Sequence, residues 1–348
     1  MKIVVIGDAL VSSRTLIEAV QVMNLGEEEK EIIAYEWYSD LTKDEFQEHI
    51  LDIERNGPDN VIIPKGILLD LKDADYLFCH YAPVSSEMIQ VAPKLKMVGT
   101  CRGGLENVNI KILREKSIPL IHVIRNADPV ADFTLGLMLA ETRNIARAHC
   151  AIKNGKWEKS FSNDSYKTIL TNQTVGVVGA GYIGKQLIKR LNGLNVPVLV
   201  FDPFVNQDNF RRLGLVASFV DSLEQLFKES DIVSLHMRVT PDTKHIINKD
   251  LLNLMKPSSY LINSARADLI VESDLLDILQ RKGIAGAALD VNWTEPLMSD
   301  SPWLSLTNVT LTPHIAGDTI DAIPKSPFLL KDVVNEYLKT GYSDMIIK

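Results

Sequence analysis

The sequence predicts an α/β protein with two doubly wound, mostly parallel open sheets, each covered by helices. Three observations carry this. Short β-branched runs alternate with helical patterns along nearly the whole chain, which is the signature of βαβ units. The 348 residues suffice for two domains at about 150 residues each. A second alternating block, opening at Thr174, begins on a strand that runs straight into a glycine-rich turn and a helix.

In the first block the strand candidates are residues 3–6, 32–35, 61–63, 76–79 and 97–100. Between them, residues 13–23 place Leu16, Ile17, Val20 and Met23 at three- and four-residue spacing, the mark of one apolar helix face. Ser85, Ser86 and Glu87 open another helix, which Pro93 must end or kink early. One long connecting helix is expected after Pro129, apolar at first, then basic and polar, with Gly155 as its stop. The second block supplies strands in TVGVV, VPVLVF, DIVSLHM, SYLINSA, IAGAALDV and NVTLTP, each followed by a helical pattern or a loop of turn-forming residues. A short helix over residues 332–338 closes the chain. No repeat or low-complexity tract interrupts this order.

Composition narrows the partners. Lys and Arg total 37 against 45 Asp and Glu, a net charge of −8, so the average surface repels phosphate backbones and anionic lipid. Nucleic acid and membrane surfaces are therefore not expected partners, whereas a small anion remains open to a local cationic cleft. The apolar run after Met1 is too short for a signal-peptide core, and residues 133–140 fall far below a bilayer span. Cys79, Cys101 and Cys150 lack disulfide or zinc spacing, so reduced thiols, a cytoplasmic location and no metal are expected.

The turn after residues 175–178 reads Gly179-Ala180-Gly181-Tyr182-Ile183-Gly184 and leads into the helical KQLIKRL. Gly179 permits a tight turn, Gly181 lets backbone approach a pyrophosphate, and Gly184 lets the helix pack on the strand. The helix start at Tyr182 and Ile183 then offers amide hydrogens to phosphate. The next strand ends in Asp202, at the spacing expected of a carboxylate that binds an adenosine ribose and repels a 2′-phosphate. These residues specify a Rossmann-like site for NAD in preference to NADP; the plainer reading is a tight turn with Asp202 as a cap.

Arg266, Glu295 and His314 stand at strand ends or in the loops that follow. An imidazole can take a hydroxyl proton as hydride leaves the carbon, a carboxylate fixes its tautomer, and a guanidinium holds a carboxylate. Taken singly, each is equally readable as a surface or turn residue.

In order, TVGVVGAGYIGK, VSLHMRVTPDT, LINSARADLI, GAALDV with EPL, and NVTLTPHIAG resemble the D-isomer-specific 2-hydroxyacid dehydrogenase family, which includes phosphoglycerate dehydrogenases. The likeness implies a nucleotide domain over residues 125–316 inserted into a flavodoxin-like substrate domain formed by 1–124 and 317–348. It implies NAD-dependent interconversion of a D-2-hydroxy acid and its 2-oxo acid, Arg266 binding the acid, His314 as acid/base and Glu295 as its partner. Asp290 resembles the residue that holds the nicotinamide carboxamide. A homodimer formed through the helix after Pro129 is implied as well; with only about thirty residues after His314, no C-terminal regulatory domain is expected.

The family's carboxylate-binding loop corresponds to Arg102, Gly103 and Gly104, followed by Leu105-Glu106-Asn107, and Arg102 departs from the small residue common there. Arg102 and Arg125 either select a second anionic or hydroxylated group, as in a phosphorylated or sugar-derived acid such as 3-phosphoglycerate, or brace their loops against Glu106 and Asp128. His80 and Tyr81 follow a strand of the same domain, where a parallel sheet opens to ligand. The rival functional class implied by the resemblance is a corepressor-like protein that senses NAD(H).

Overall fold

The computed structural model describes residues 1–205 and 207–348. The chain divides into two compact units, one formed by Met1–Arg125 with Thr319–Lys348 and the other by Asn126–Asp318.

The first unit holds strands β1 (Lys2–Asp8), β2 (Glu31–Trp37), β3 (Tyr76–Cys79), β4 (Met97–Thr100) and β5 (Leu120–His122), parallel in the order β5-β4-β3-β1-β2. A last strand, Ile346–Ile347, pairs antiparallel with β5 at the sheet edge. β1 explains why its sequence is continuously apolar. Ile3 and Val5 pack on one face under helices Ser13–Gln21 and Ser326–Thr340, through Leu16, Val20, Leu330 and Val334. Val4 and Ile6 pack on the other face with Phe46, Ile50 and Ile53 of helix Lys43–Asn56. With both faces covered no polar alternation is possible, and each fully buried aliphatic side chain contributes about 1.5–3 kcal/mol.

The second unit holds β6 (Val175–Val178), β7 (Val198–Phe201), β8 (Ser218–Phe219), β9 (Ile232–Leu235), β10 (Tyr260–Asn263), β11 (Gly286–Leu289) and β12 (Val309–Leu311). All are parallel, in the order β12-β11-β10-β9-β6-β7-β8. The remaining strand of the first unit, Ile346–Ile347, is β13. In this sheet Val177, Ile232 and Ile262 face one apolar layer, while Val178, Val233 and Leu261 face the other. The order reverses between β6 and β9, the place where such sheets receive ligands.

Three expectations from the sequence need correction. Residues 61–63 form no strand: they lie between Pro58 and Pro64, Ile62 is exposed, and its carbonyl accepts from Trp37 Nε1 at 2.8 Å. Pro64 has no amide to offer a ladder. The long helix after Pro129 is two, Ala127–Thr142 and Ile145–Lys153. Asn144 breaks it at φ +58°, where its buried amide bonds Asn163 at 2.6 Å and accepts from Arg147 at 2.9 Å. The closing helix is longer than its apolar pattern suggested, running Ser326–Thr340 with Pro327 in the first turn and Gly341 at φ +71° after its end.

Candidate active site

The chemistry-bearing residues of the second unit all follow the C-terminal ends of its parallel strands. After β6, Gly179 adopts φ +93°, a conformation that L side chains rarely take, and a Cβ there would meet the His236 carbonyl at 3.0 Å. At Gly184 a Cβ would lie 2.2 Å from the Gly179 carbonyl oxygen, so the helix Tyr182–Gly193 can approach β6 only without one. Gly181 differs: nothing lies within 4 Å of the Cβ it lacks, and no side chain caps the helix there. This open face, beside the helix N-terminus that Tyr182 and Ile183 begin, fits a pyrophosphate.

Asp202 follows β7 and ties the turn in place. Its Oδ2 accepts from Ala180 N at 2.8 Å and its Oδ1 from Phe204 N at 2.9 Å. A carboxylate has about four lone-pair directions, so capping these amides leaves capacity for ribose hydroxyls.

After β10, Asn263 organises the loop that presents Arg266. Its Oδ1 accepts from Ala265 N at 3.0 Å and its amide donates to Arg266 O at 2.9 Å, a local turn that frees the next side chain. The Arg266 guanidinium is exposed, donates to Ala265 O and forms no ion pair among the described residues. It is therefore free to hold a carboxylate.

After β12, His314 sits at φ +57°, an uncommon conformation for a residue with a Cβ. Its Nδ1 donates to Glu295 Oε2 at 2.9 Å, and Glu295 Oε1 accepts from Asn292 N at 2.9 Å. The Asn292 amide first, and then His314, hold the Glu295 carboxyl below its ordinary value, with Arg266 adding a smaller pull. An ionised Glu295 fixes the proton on Nδ1 and leaves Nε2 to exchange a proton with a ligand.

Asp290 has a role that its position in the sequence did not disclose. It is fully buried at the end of β11, where Oδ1 accepts from Thr312 Oγ1 at 2.6 Å and Ile315 N at 3.1 Å, and Oδ2 from Ala316 N at 2.8 Å. These bonds bracket His314 on both sides. In addition to the nicotinamide contact that the resemblance implies, Asp290 clamps the loop that carries the imidazole. Asn263 and Asn292 were also missed; Asn263 had a signal, since an Asn at a strand end two residues before a free amide commonly makes such a turn.

The remaining candidates lie in the first unit. Arg102 is buried with its guanidinium 4.0 Å from the centre of the Tyr81 ring, and is neutralised by Glu106 at 3.2 Å and Glu54 at 3.4 Å. A Cβ at Gly104 would lie 2.7 Å from that guanidinium, and one at Gly103 would lie 2.8 Å from Ile124 Cδ1. The loop is thus shaped around an ion pair. Arg125 is half-buried, 5.9 Å from the same ring, and forms no ion pair among the described residues, with Asp128 included. Among those residues no metal-binding cluster occurs and no helix is long and apolar enough to cross a membrane.

Comparison with known proteins gives these observations a context. The family described as D-isomer specific 2-hydroxyacid dehydrogenase, NAD binding domain, matches residues 135–316. A D-3-phosphoglycerate dehydrogenase of Methanocaldococcus jannaschii is 33% identical over 81% of this chain and 53% of its own length. A glyoxylate reductase of Thermofilum pendens is 37% identical over 74% of this chain and 76% of its own. For a hydroxypyruvate reductase of Thermotoga maritima the figures are 34%, 75% and 81%. The chain thus spans about half the length of the phosphoglycerate dehydrogenases it matches. The NAD-complexed D-isomer specific 2-hydroxyacid dehydrogenase of Lactobacillus delbrueckii ssp. bulgaricus shares the fold, with a TM-score of 0.68 at 21% identity over 100% of both chains. From the turn at Gly179 to the loop at His314, the chain belongs to the D-isomer specific 2-hydroxyacid dehydrogenase family, and its second unit is that family's NAD binding domain.

Proposed function

We propose that the protein is an NAD-dependent oxidoreductase that interconverts a D-2-hydroxy acid and its 2-oxo acid. The observation that carries this reading is the Glu295–His314 pair, 2.9 Å apart in the unit that holds the dinucleotide turn, with Arg266 free of any carboxylate among the described residues. Bound NAD supplies the acceptor for the hydride that leaves C2 of the acid. Arg266 holds the substrate carboxylate by charge-assisted hydrogen bonds. His314 Nε2 takes the hydroxyl proton as the carbonyl forms, and returns it in the reverse direction. Glu295 stabilises the imidazolium, Gly179, Gly181 and Gly184 seat the pyrophosphate, and Asp202 holds the adenosine ribose.

For the substrate itself, backbone at Gly103 and Gly104 suits a carboxylate, and the unpaired Arg125 supports an acid with a polar tail, phosphorylated or sugar-derived, such as 3-phosphoglycerate. Arg102, with its own carboxylates, is assigned to bracing. A homodimer through the helices after Asn126 is supported by Ile145 and Ile152, which are exposed on the second of them. A cytoplasmic location is supported by three cysteines that form no disulfide.

The test is a panel of 2-oxo acids, phosphorylated and not, assayed with NADH and with NADPH. Turnover with NADH preferred is the expected result. Tight NADH binding without turnover of any member would overturn this reading in favour of a cofactor-sensing protein.

A further inference from the structure

The first unit has a switch point of its own. Its order β5-β4-β3-β1-β2 reverses between β1 and β3, the position at which flavodoxin-like sheets bind ligands. Asp8 ends β1 and His80 follows β3, and both are buried. Asp8 accepts backbone hydrogen bonds from Leu10 at 2.9 Å, Val11 at 3.0 Å and Tyr81 at 2.8 Å, together with His80 Nδ1 at 3.1 Å. Burial raises the Asp8 carboxyl, but His80 and the amides of Tyr81 and Leu10 outweigh it, so the carboxylate stays ionised. An ionised carboxylate only accepts, so Nδ1 of His80 carries the proton.

The other ring nitrogen is unmatched. His80 Nε2 is buried and has no hydrogen-bond partner among the described residues. Burial lowers the imidazole's pKa; the Asp8 carboxylate opposes this, and Arg125 and Arg102 add to the lowering. The ring is therefore neutral, with a lone pair at Nε2. A buried acceptor without a donor is costly, so this atom is built for a bound group. The Tyr81 ring meets the imidazole edge-on at 4.7 Å and has both arginines about it.

We propose that the first unit recognises a hydroxylated small acid at the ends of β1, β3 and β5, with His80 Nε2 accepting the hydroxyl's hydrogen bond and Arg125 drawing the anion. The chemistry selects among donors. An ammonium group would face the Arg125 guanidinium, which no carboxylate pairs among the described residues, and the oxygens of a phosphate ester or carboxylate would offer lone pairs to a lone pair. A hydroxyl is the remaining choice. Asp8 is a positioning residue that fixes the tautomer. This inference rests on the 2-hydroxyacid dehydrogenase reading and narrows its substrates to acids with a free hydroxyl in the tail, such as sugar-derived acids.

Hydroxypyruvate and pyruvate share a carbon skeleton and differ by one hydroxyl, so they isolate the contact. Wild-type kcat/KM with NADH should favour hydroxypyruvate by about 10- to 100-fold. In His80→Leu the ratio should collapse toward one, while His80→Gln, which keeps an acceptor, should retain part of it. A wild-type ratio near one, a ratio unchanged in His80→Leu, or a wild-type preference for 3-phosphohydroxypyruvate over hydroxypyruvate overturns the proposal. If His80→Leu fails to fold, the wild-type ratios and His80→Gln still decide. If the wild type turns over no 2-oxo acid, the dehydrogenase reading fails by itself, and calorimetric binding of D-glycerate against D-lactate in the presence of NAD judges the hydroxyl site. Equal affinities overturn it, and tighter D-glycerate supports it.

Discussion

Nδ1 of His314 lies 2.9 Å from Oε2 of Glu295, and it does so from a backbone at φ +57°. Strain of about 1–3 kcal/mol in a non-glycine residue persists only where surrounding bonds enforce it. Here the bonds to Thr312, Ile315 and Ala316 do so, all from Asp290. The imidazole is thus oriented twice, by a carboxylate on its ring and by another on its loop.

Replacing His314 with Asn removes the proton acceptor and leaves the dinucleotide turn intact. Steady-state assay with a 2-oxo acid should show kcat lower by about 100- to 10,000-fold, and NADH titration by fluorescence should give nearly wild-type affinity. Wild-type turnover would remove His314 from the acid/base role.

Asp290→Asn replaces one acceptor oxygen by a donor facing groups that already donate. We expect kcat to fall about 10- to 100-fold with NADH affinity little changed, because a misplaced imidazole costs rate before it costs binding. A loss confined to NADH affinity would show that Asp290 acts through the cofactor and not through the His314 loop.

The glycines of the turn separate packing from ligand contact. Gly184→Ala places a Cβ 2.2 Å from the Gly179 carbonyl and should destabilise the fold by about 1–3 kcal/mol, read as a lower Tm. Gly181→Ala meets open space in the protein alone, so its Tm should stay near wild type while NADH binds more weakly. Equal behaviour of the two variants would show that Gly181 does not face the pyrophosphate.

Burial pushes the Glu141 carboxyl up to about 6, against the opposing pull of Arg147 and Thr310. The folded state therefore binds this proton more tightly than the unfolded chain, whose ordinary value is near 4.5. The stability it contributes is present below that value and lost as pH rises through 6, about 2 kcal/mol in all. Denaturation of Glu141→Gln and wild type at pH 4 and 7.5 should show the variant gaining by that amount at the higher pH. A difference constant with pH would mean that Glu141 titrates as an ordinary carboxylate.

Much of this was legible because its signals are local. β1 and β6 are buried on both faces, so their apolar runs are unbroken, and the turn at Gly179 carries its constraints within six consecutive residues. What escaped was set by distant partners. Asn144 breaks a helix to meet Asn163, and Asp290 meets donors that arrive 22 to 26 residues later. Asp8 and His80 are 72 residues apart. No window of sequence contains both members of such a pair, and residues 61–63 mislead for the opposite reason, since their β-branched pattern is local and no neighbouring strand takes it up.

The second unit interrupts the first within the chain, and this sets an order of assembly during synthesis. When translation has reached Asp318, every strand of the second unit has been made. The first unit still lacks helix Ser326–Thr340, so one face of its sheet, with Ile3, Val5, Phe78 and Ile121, has no cover from Leu330 and Val334. The segment that follows the second unit thus completes the unit that precedes it, and for that interval the earlier unit of the nascent chain keeps apolar surface open to aggregation.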